Sequence, residues 1–323
     1  MAGNSALTST RVYFVTDVHG SERCFRKFVN AGKFYGVNVL VLGGDITGKM
    51  IVPFVAQADG TTVCNYGGEE ITLKSQEETD KMLKKVRDSG YYPHMTDPKE
   101  MQELQADRAK VDKLFERVMK ESVQRWIELA DERLRGSGII CYISPGNDDS
   151  YAIDEALDSG DYVINPEEKV VDLDKEHEMI TMGHTNHTPW KSPREVDEDV
   201  LTAKIEKMAS QVKDMKKAVF NLHVPPIDTT IDQAPLLDPT FKPVVSGGQI
   251  LMTSAGSTAV RGSIEKYQPL AGIHGHIHEA RGVVKIGRTL CFNPGSEYNS
   301  GILRGLLCEL DGDRVKSYVL TSG

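Results

Sequence analysis

Five apolar, β-prone runs in this chain each stop at side chains that carry oxygen or imidazole nitrogen, and that repetition limits the folds open to it. Arg11-Val-Tyr-Phe-Val-Thr16 ends in Asp17-Val18-His19-Gly20, and Val37-Asn-Val-Leu-Val-Leu42 ends in Gly43-Gly44-Asp45. Ile139-Ile-Cys-Tyr-Ile143 runs into Ser144-Pro145-Gly146-Asn147-Asp148, and Ala218-Val-Phe-Asn-Leu222 into His223-Val-Pro-Pro226. The last, Gln268-Pro-Leu-Ala-Gly-Ile273, leads to Gly275-His276-Ile277-His278. Runs that are apolar on both faces read as buried central strands. Parallel strands joined by right-handed crossovers bring their C-terminal ends to one edge of a sheet, the edge where open α/β sheets take ligands. In extended backbone, residues i and i+2 project to the same side. Asp17 with His19, and His276 with His278, can therefore each aim two donors into one space.

Taken singly, these residues are bland. Asp17 reads as a helix N-cap or turn residue, Asn147 as a turn residue, and His276 with His278 as a satisfied core or surface pair. Jointly they resist that reading, because donor chemistry falls at the strand terminus each time. Asp17, His19, Asp45, Asn147, His223, His276 and His278 make a mixed oxygen and nitrogen set. It exceeds the needs of one ion and suits two ions that share a carboxylate.

Between the second and third runs the pattern changes, and residues 50–110 read as an insertion placed to overhang the strand ends. Ile51 to Gln57, the Asp59-Gly60 turn, Thr61 to Tyr66 and Glu70 to Leu73 suggest a small hairpin or meander. Met82, Leu83 and Val86 then share one helical face. Gly67-Gly68 and Tyr91-Tyr92 read as loop residues able to line a pocket, with structural roles preferred. A long helix carrying Val111, Leu114, Phe115, Val118, Trp126, Ile127 and Leu134 returns to the core. Further on, Tyr162 to Asn165, Val170 to Leu173 and Met179 to Gly183 read as short strands of a second sheet. His184 and His187 lie in a polar loop where turn and surface roles are preferred to substrate contact. Leu201, Ile205, Met208, Val212 and Met215 make an apolar helical stripe, and Arg261 lies on a helix that opens at Gly256-Ser257, possible neighbour to the strand ends.

A formal net charge of −9 over 323 residues argues against sequence-independent nucleic-acid binding, which needs a basic excess. Five scattered cysteines with no C-x-x-C pair imply reduced thiols and a cytoplasmic protein. The first ten residues have neither the basic nor the apolar region of a signal peptide. No stretch approaches the ~18 apolar residues of a membrane span.

The order and wording of the five motif blocks resemble the calcineurin-like metallophosphoesterases over most of the chain. His223-Val-Pro-Pro226, the Ala259-Val-Arg261 helix and Asn293-Pro-Gly-Ser296 look most like the Icc-related bacterial and archaeal phosphoesterases. The resemblance implies an α/β fold, a four-layer αββα sandwich of the metallo-dependent phosphatase type. The chain would form one domain over 1–323, carrying the β-hairpin and helical insertion. It also implies two divalent or transition metal ions, of manganese, iron, zinc or nickel. Asp17, His19 and His278 would hold one, Asn147, His223 and His276 the other, and Asp45 would bridge them beside a hydroxide nucleophile. The expected activity is metal-dependent phosphoester hydrolysis of a small substrate. Apart from the resemblance, Asn147, Arg261 and, less favoured than a turn or surface role, His184 are the candidate substrate contacts. One departure stands out: many members have His directly after the Asn of the third block, and this chain has Asp148. An ionised Asp148 just behind the metal pair would repel a dianionic monoester more than a monoanionic diester, which favours a phosphodiester; the alternative role for Asp148 is to point away and orient His223 or cap the following helix. A phosphomonoesterase or nucleotidase is the alternative, and a metal-free interaction module, as in a retromer subunit of similar fold, is a further one.

Overall fold

The computed structural model describes residues 9–323; residues 1–8, most of the N-terminal stretch compared above with a signal peptide, lie outside them. The apolar runs form the centres of two six-stranded sheets. The first runs, edge to edge, Arg314–Ser322, Arg304–Asp311, Thr10–Val15, Val39–Gly43, Ile140–Ser144 and Val163–Ile164. The second runs Gly282–Ile286, Thr289–Asn293, Ala271–Ile273, Ala218–Leu222, Glu178–Met182 and Val170–Asp172.

Alternation along the strands sorts side chains into layers. Val12, Phe14, Val39 and Val41 meet Met179, Val219, Ala271, Ile273 and Phe292 between the two sheets. Tyr13, Val15, Leu40 and Leu42 face the other way, onto the helices Glu22–Tyr35 and Arg108–Leu134. There Trp126 stacks on Phe25, ring centroids 4.2 Å apart, and its indole N–H donates to Glu22. The outer face of the second sheet is covered by Glu198–Ala209 and Thr258–Tyr267 through Leu201, Ile205, Val260 and Ile264. The result is a four-layer α/β sandwich. The three donor-bearing strands of the first sheet are mutually parallel, as are the two of the second, so their C-terminal ends share one edge.

Three readings of the sequence need correction. First, the expected meander after Asp45 is present as Ile51–Ala56, Thr62–Tyr66 and Glu69–Leu73, but Tyr92–Thr96 adds a fourth strand at its Ile51–Ala56 side, and the sheet has its own core of Val52, Phe54, Cys64, Leu73, Met82 and Val86. Tyr92 therefore begins a strand, parallel to Ile51–Ala56, and is buried instead of lying in a loop. Pro93 is tolerated because the strand is at the edge, where one N–H side has no ladder to feed. Second, Val163–Ile164 pairs with Ile140–Ser144 and so belongs to the first sheet; two residues are too few to show a face. Third, His184 is buried, where a turn or surface role was preferred. All five cysteines are free and buried. No helix among the described residues is long and apolar enough to cross a membrane.

Candidate metal centre

The backbone at the strand ends is bent into conformations that ordinary side chains avoid. Asp17, His19, Asp45 and His276 all have positive φ, from 40° to 67°. Such left-handed residues cost about 1–2 kcal/mol each when not glycine and persist where surrounding contacts over-determine them. Those contacts are present. Asp17, His19 and Gly20 donate their N–H groups to the carbonyls of Gly44, Asp45 and Ile46, tying the first loop to the second. The fully buried Asp149 accepts from the N–H groups of Ile46, Thr47 and Gly146 and from the Thr47 hydroxyl, tying the second loop to the third. Asn293 donates to the carbonyls of Gly275 and Ile277 and accepts from Gly295, which fixes the His276 loop. At Gly146 a Cβ would lie 2.3 Å from Asp45, so only glycine lets these loops close on each other.

Two donor groups result. In one, Asp17 Oδ1 lies 3.9 Å from His19 Nε2 and 3.4 Å from His278 Nε2, while the two imidazole Nε2 atoms are 3.0 Å apart. In the other, Asp45 Oδ1 is 3.4 Å from His223 Nε2, and His276 completes the set. Asn147 Oδ1 joins it, 2.8 Å from His276 Nδ1. Asp45 belongs to both neighbourhoods, since its Oδ2 is 3.6 Å from His19 Nε2. All seven residues named from the sequence therefore meet at one edge.

The donor atoms that face inward suit a cation, which would compete with protons for them. His223 Nδ1 donates to the carbonyl of Gly43 at 2.9 Å, which leaves its Nε2 facing Asp45 and Asp17 with no hydrogen-bond partner. Burial alone would lower the His223 pKa, but the Asp45 and Asp17 carboxylates outweigh it and raise it to about 10. Burial would raise Asp17, yet His278, His223 and His19 hold it well below the carboxylate range. Asp45 is raised by burial to about 6 despite His223. Burial pushes His276 down to about 3, with His223 adding to the effect. A metal would replace the proton that His223 otherwise holds at Nε2 beside the Asp45 and Asp17 carboxylates, and with neutral, buried His276 and the anionic oxygens this makes a donor set suited to two divalent ions. The residues present thus fit a dinuclear site.

Asp148 lies among these donors, not behind them: its carboxylate shares a group with His19 and Asp45, the donor atoms all within 4.8 Å of one another. Its own N–H donates to Asp45 Oδ1 at 2.9 Å. It does not orient His223, whose Nδ1 is taken by Gly43. Nor is it an isolated charge, because Lys49 Nζ is 2.6 Å from its Oδ2. Burial would raise the Asp148 carboxyl, and the Lys49 ammonium outweighs that and holds it down to about 2. The pair is ionised on both sides, which changes the electrostatic premise for a diester preference.

The remaining expected contacts sit differently. Arg261 is engaged with the carbonyls of Ile227 and Asp228 and with Glu265, a local set that includes none of the seven donors. The buried His184 bonds the Tyr151 hydroxyl and faces Glu167 and Glu168, again outside the seven. The sequence alone assigns no site role to Lys49, Asp149, Asn293 or Tyr298. Tyr298 packs its ring 4.7 Å from His19 and 5.9 Å from His278. Two of them had a signal: Asn293 opens the Asn293-Pro-Gly-Ser296 block, and Asp149 ends the Gly-Asn-Asp-Asp run.

No protein-family model matches this chain. An uncharacterized protein of Methanocaldococcus jannaschii is 28% identical over 176 residues, which is 54% of this chain and 69% of that protein. Among solved structures, one is similar with a TM-score of 0.59 at 16% identity, covering 97% of this chain and 99% of the other. A Thermus thermophilus protein is similar with a TM-score of 0.53 at 12% identity, covering 98% and 99%. These likenesses bear on the fold alone. A structure described as an archaeal phosphodiesterase covers 96% of this chain and 99% of its own at a TM-score of 0.36 and 10% identity, too loose to carry an argument. The layered architecture, with the five motif blocks converging at one edge, matches the four-layer fold expected from the sequence.

Proposed function

We propose that the protein is a metal-dependent phosphoester hydrolase working with two ions. The observation that supports this most is the pairing of Asp17–His19–His278 with Asp45–His223–His276 around one shared carboxylate. Asp17, His19 and His278 would hold the first ion, Asn147, His223 and His276 the second, and Asp45 both. Such ions supply Lewis acidity, activating water near neutral pH and drawing charge from phosphoryl oxygens. The chain's own residues do the rest. Gly43 locks the His223 tautomer, Asn293 holds the loop of His276 and His278, and Tyr298 walls the His19 side against solvent. Lys49 neutralises Asp148, so a dianionic monoester meets no net repulsion there, and the proposal covers mono- and diesters alike.

The test is reconstitution of stripped protein with Mn²⁺, Zn²⁺, Fe²⁺ or Ni²⁺ and a screen of aryl and alkyl phosphoesters. Close to two metal equivalents and turnover are expected. Asp45→Asn should weaken retention of both ions by more than roughly 10²-fold. Saturation at one equivalent with Asp45→Asn unchanged would overturn the shared-carboxylate reading. Two bound ions with no phosphoester turned over would overturn the hydrolase.

A further inference from the structure

Three carboxylates, Asp17, Asp45 and Asp148, crowd the metal edge, and a phosphoester would bring another anion to it. The cation that meets this edge is Lys49. Its ammonium is one ion-pair length beyond an Asp148 carboxylate that itself lies within 4.8 Å of the His19 and Asp45 donor atoms.

The side chain is held, yet not used up. Asp148 Oδ2 takes the ammonium, while Oδ1 takes the Ser192 hydroxyl and the Asn147 amide, so the carboxylate cannot swing away. The Lys49 side chain keeps about half of its exposure, at 48%, and an ammonium has three donors of which this pair occupies one. Behind it the backbone is clamped. Gly48 donates its N–H to the Tyr92 hydroxyl at 2.7 Å, and a Cβ on Gly48 would lie 2.3 Å from the carbonyl of Gly90. A lysine on a mobile surface loop has neither constraint.

We propose that Lys49 contacts the phosphoester on its leaving-group side, with Asp148 and Ser192 as positioning residues that aim the ammonium. This rests on the hydrolase reading. In the reaction the ester P–O bond breaks and leaves its electron pair on the departing oxygen, while the oxygen of water bonds to phosphorus. One proton of that water passes to solvent, and the departing oxygen takes one from solvent. Lys49 stays protonated throughout and supplies charge where charge develops, in a place already organised before the reaction.

Metal-reconstituted wild type, Lys49→Met and Lys49→Arg are compared on two esters of one phosphoryl group, one with an alkyl and one with a nitrophenyl leaving group. Lys49→Met should lower kcat/KM for the alkyl ester by roughly 10²-fold and for the nitrophenyl ester by only a few-fold, since nitrophenolate needs little help. Lys49→Arg should recover most of the loss. Metal content should stay at the wild-type value, while inorganic phosphate binds Lys49→Met about tenfold more weakly by calorimetry. Lys49→Met/Asp148→Asn, which removes the carboxylate left unpaired, should keep the same leaving-group pattern. Equal losses on both esters, or unchanged phosphate affinity, would overturn the assignment while leaving the hydrolase intact. A loaded wild type inactive on every ester would overturn the hydrolase and this inference with it.

Discussion

The metal edge and the inserted four-stranded sheet are both built from strand ends, glycines and aromatic rings, and they use them to opposite purpose. At the metal edge four non-glycine residues carry left-handed backbone, and buried side chains such as Asp149 and Asn293 compel it. The inserted sheet keeps its positive φ on glycines, at Gly60, Gly67, Gly68 and Gly90. It has a separate small core and meets the metal edge at a glycine junction. There Gly20, Gly48 and Gly90 bring three backbones together, with Tyr92 bonded to Gly48. The difference teaches where strain is kept: beside the donors, where rigid placement serves chemistry, and not in the element that covers them. It also makes the insertion a buttress whose influence should fall off sharply with distance from Gly90.

The largest effect should follow from breaking that junction. Gly90 has φ +88°, and a Cβ there would lie 2.3 Å from the carbonyl oxygen of His19 and 3.1 Å from the Tyr298 ring. Backbone cannot retreat as a flexible side chain would. Gly90→Ala should cost about 3 kcal/mol or more, combining left-handed strain with displacement of a buried segment. Because the segment displaced carries His19, metal retention should fall along with the denaturation midpoint. A variant that loses stability but keeps both ions would show the junction to be structural only.

The metal edge was largely legible in the sequence because each donor follows an apolar run that can only be a buried strand. Parallel connection then forces the ends together. The junction was not legible. Gly20, Gly48 and Gly90 look like any turn glycines until three backbones are seen to meet. Lys49 reads as a surface charge, since nothing local announces that Asp148, far along the chain, will pair with it. The Tyr92–Thr96 strand was hidden by Pro93, which argues against a strand unless the edge position is known. His274 was unremarkable beside His276, though it is wholly buried with Nδ1 donating to Leu222 and Nε2 without a partner.

Acid should separate the two regions next. Burial lowers His274 to about 4 and His276 to about 3, and lowers His19 well below the histidine range. Each folded value lies below the unfolded one near 6.5. Stability from keeping them neutral is therefore complete above pH ~6.5 and lost as pH falls through their folded values. Asp45, raised to about 6, works in the opposite direction over part of that window, and His223, raised, stays protonated in both states there. Three imidazoles outweigh one carboxyl, so metal-free protein should lose stability as pH falls from about 6.5 to 4, read as a falling denaturation midpoint. Hydrogen exchange should show the loss at the Ala271–Ile273 and Ala218–Leu222 strands before the inserted sheet. Simultaneous loss in both would mean that they unfold as one unit.

The smallest effect belongs to the far tip of the insertion, and it tests whether the buttress is local. Gly67 and Gly68 form the two-residue turn between Thr62–Tyr66 and Glu69–Leu73, with φ of 66° and 84°. Two positive φ values in such a loop match the right-handed twist of the flanking strands. A Cβ on Gly68 would meet no atom within 4 Å, so Gly68→Ala carries only the left-handed penalty, about 1 kcal/mol. One path leads from this turn to the metal edge: the Tyr66 hydroxyl donates to Ser89, next to Gly90, at 2.8 Å. A single such bond contributes about 1 kcal/mol net, too little to shift backbone that Asp149, Asn293 and Tyr92 all hold. Gly68→Ala should therefore lower the Tm by about 2 °C and leave metal content and turnover at wild-type values. If it lowered metal retention as Gly90→Ala does, strain would be crossing the whole sheet, and the insertion would be a rigid lever on the site instead of a buttress at one corner of it.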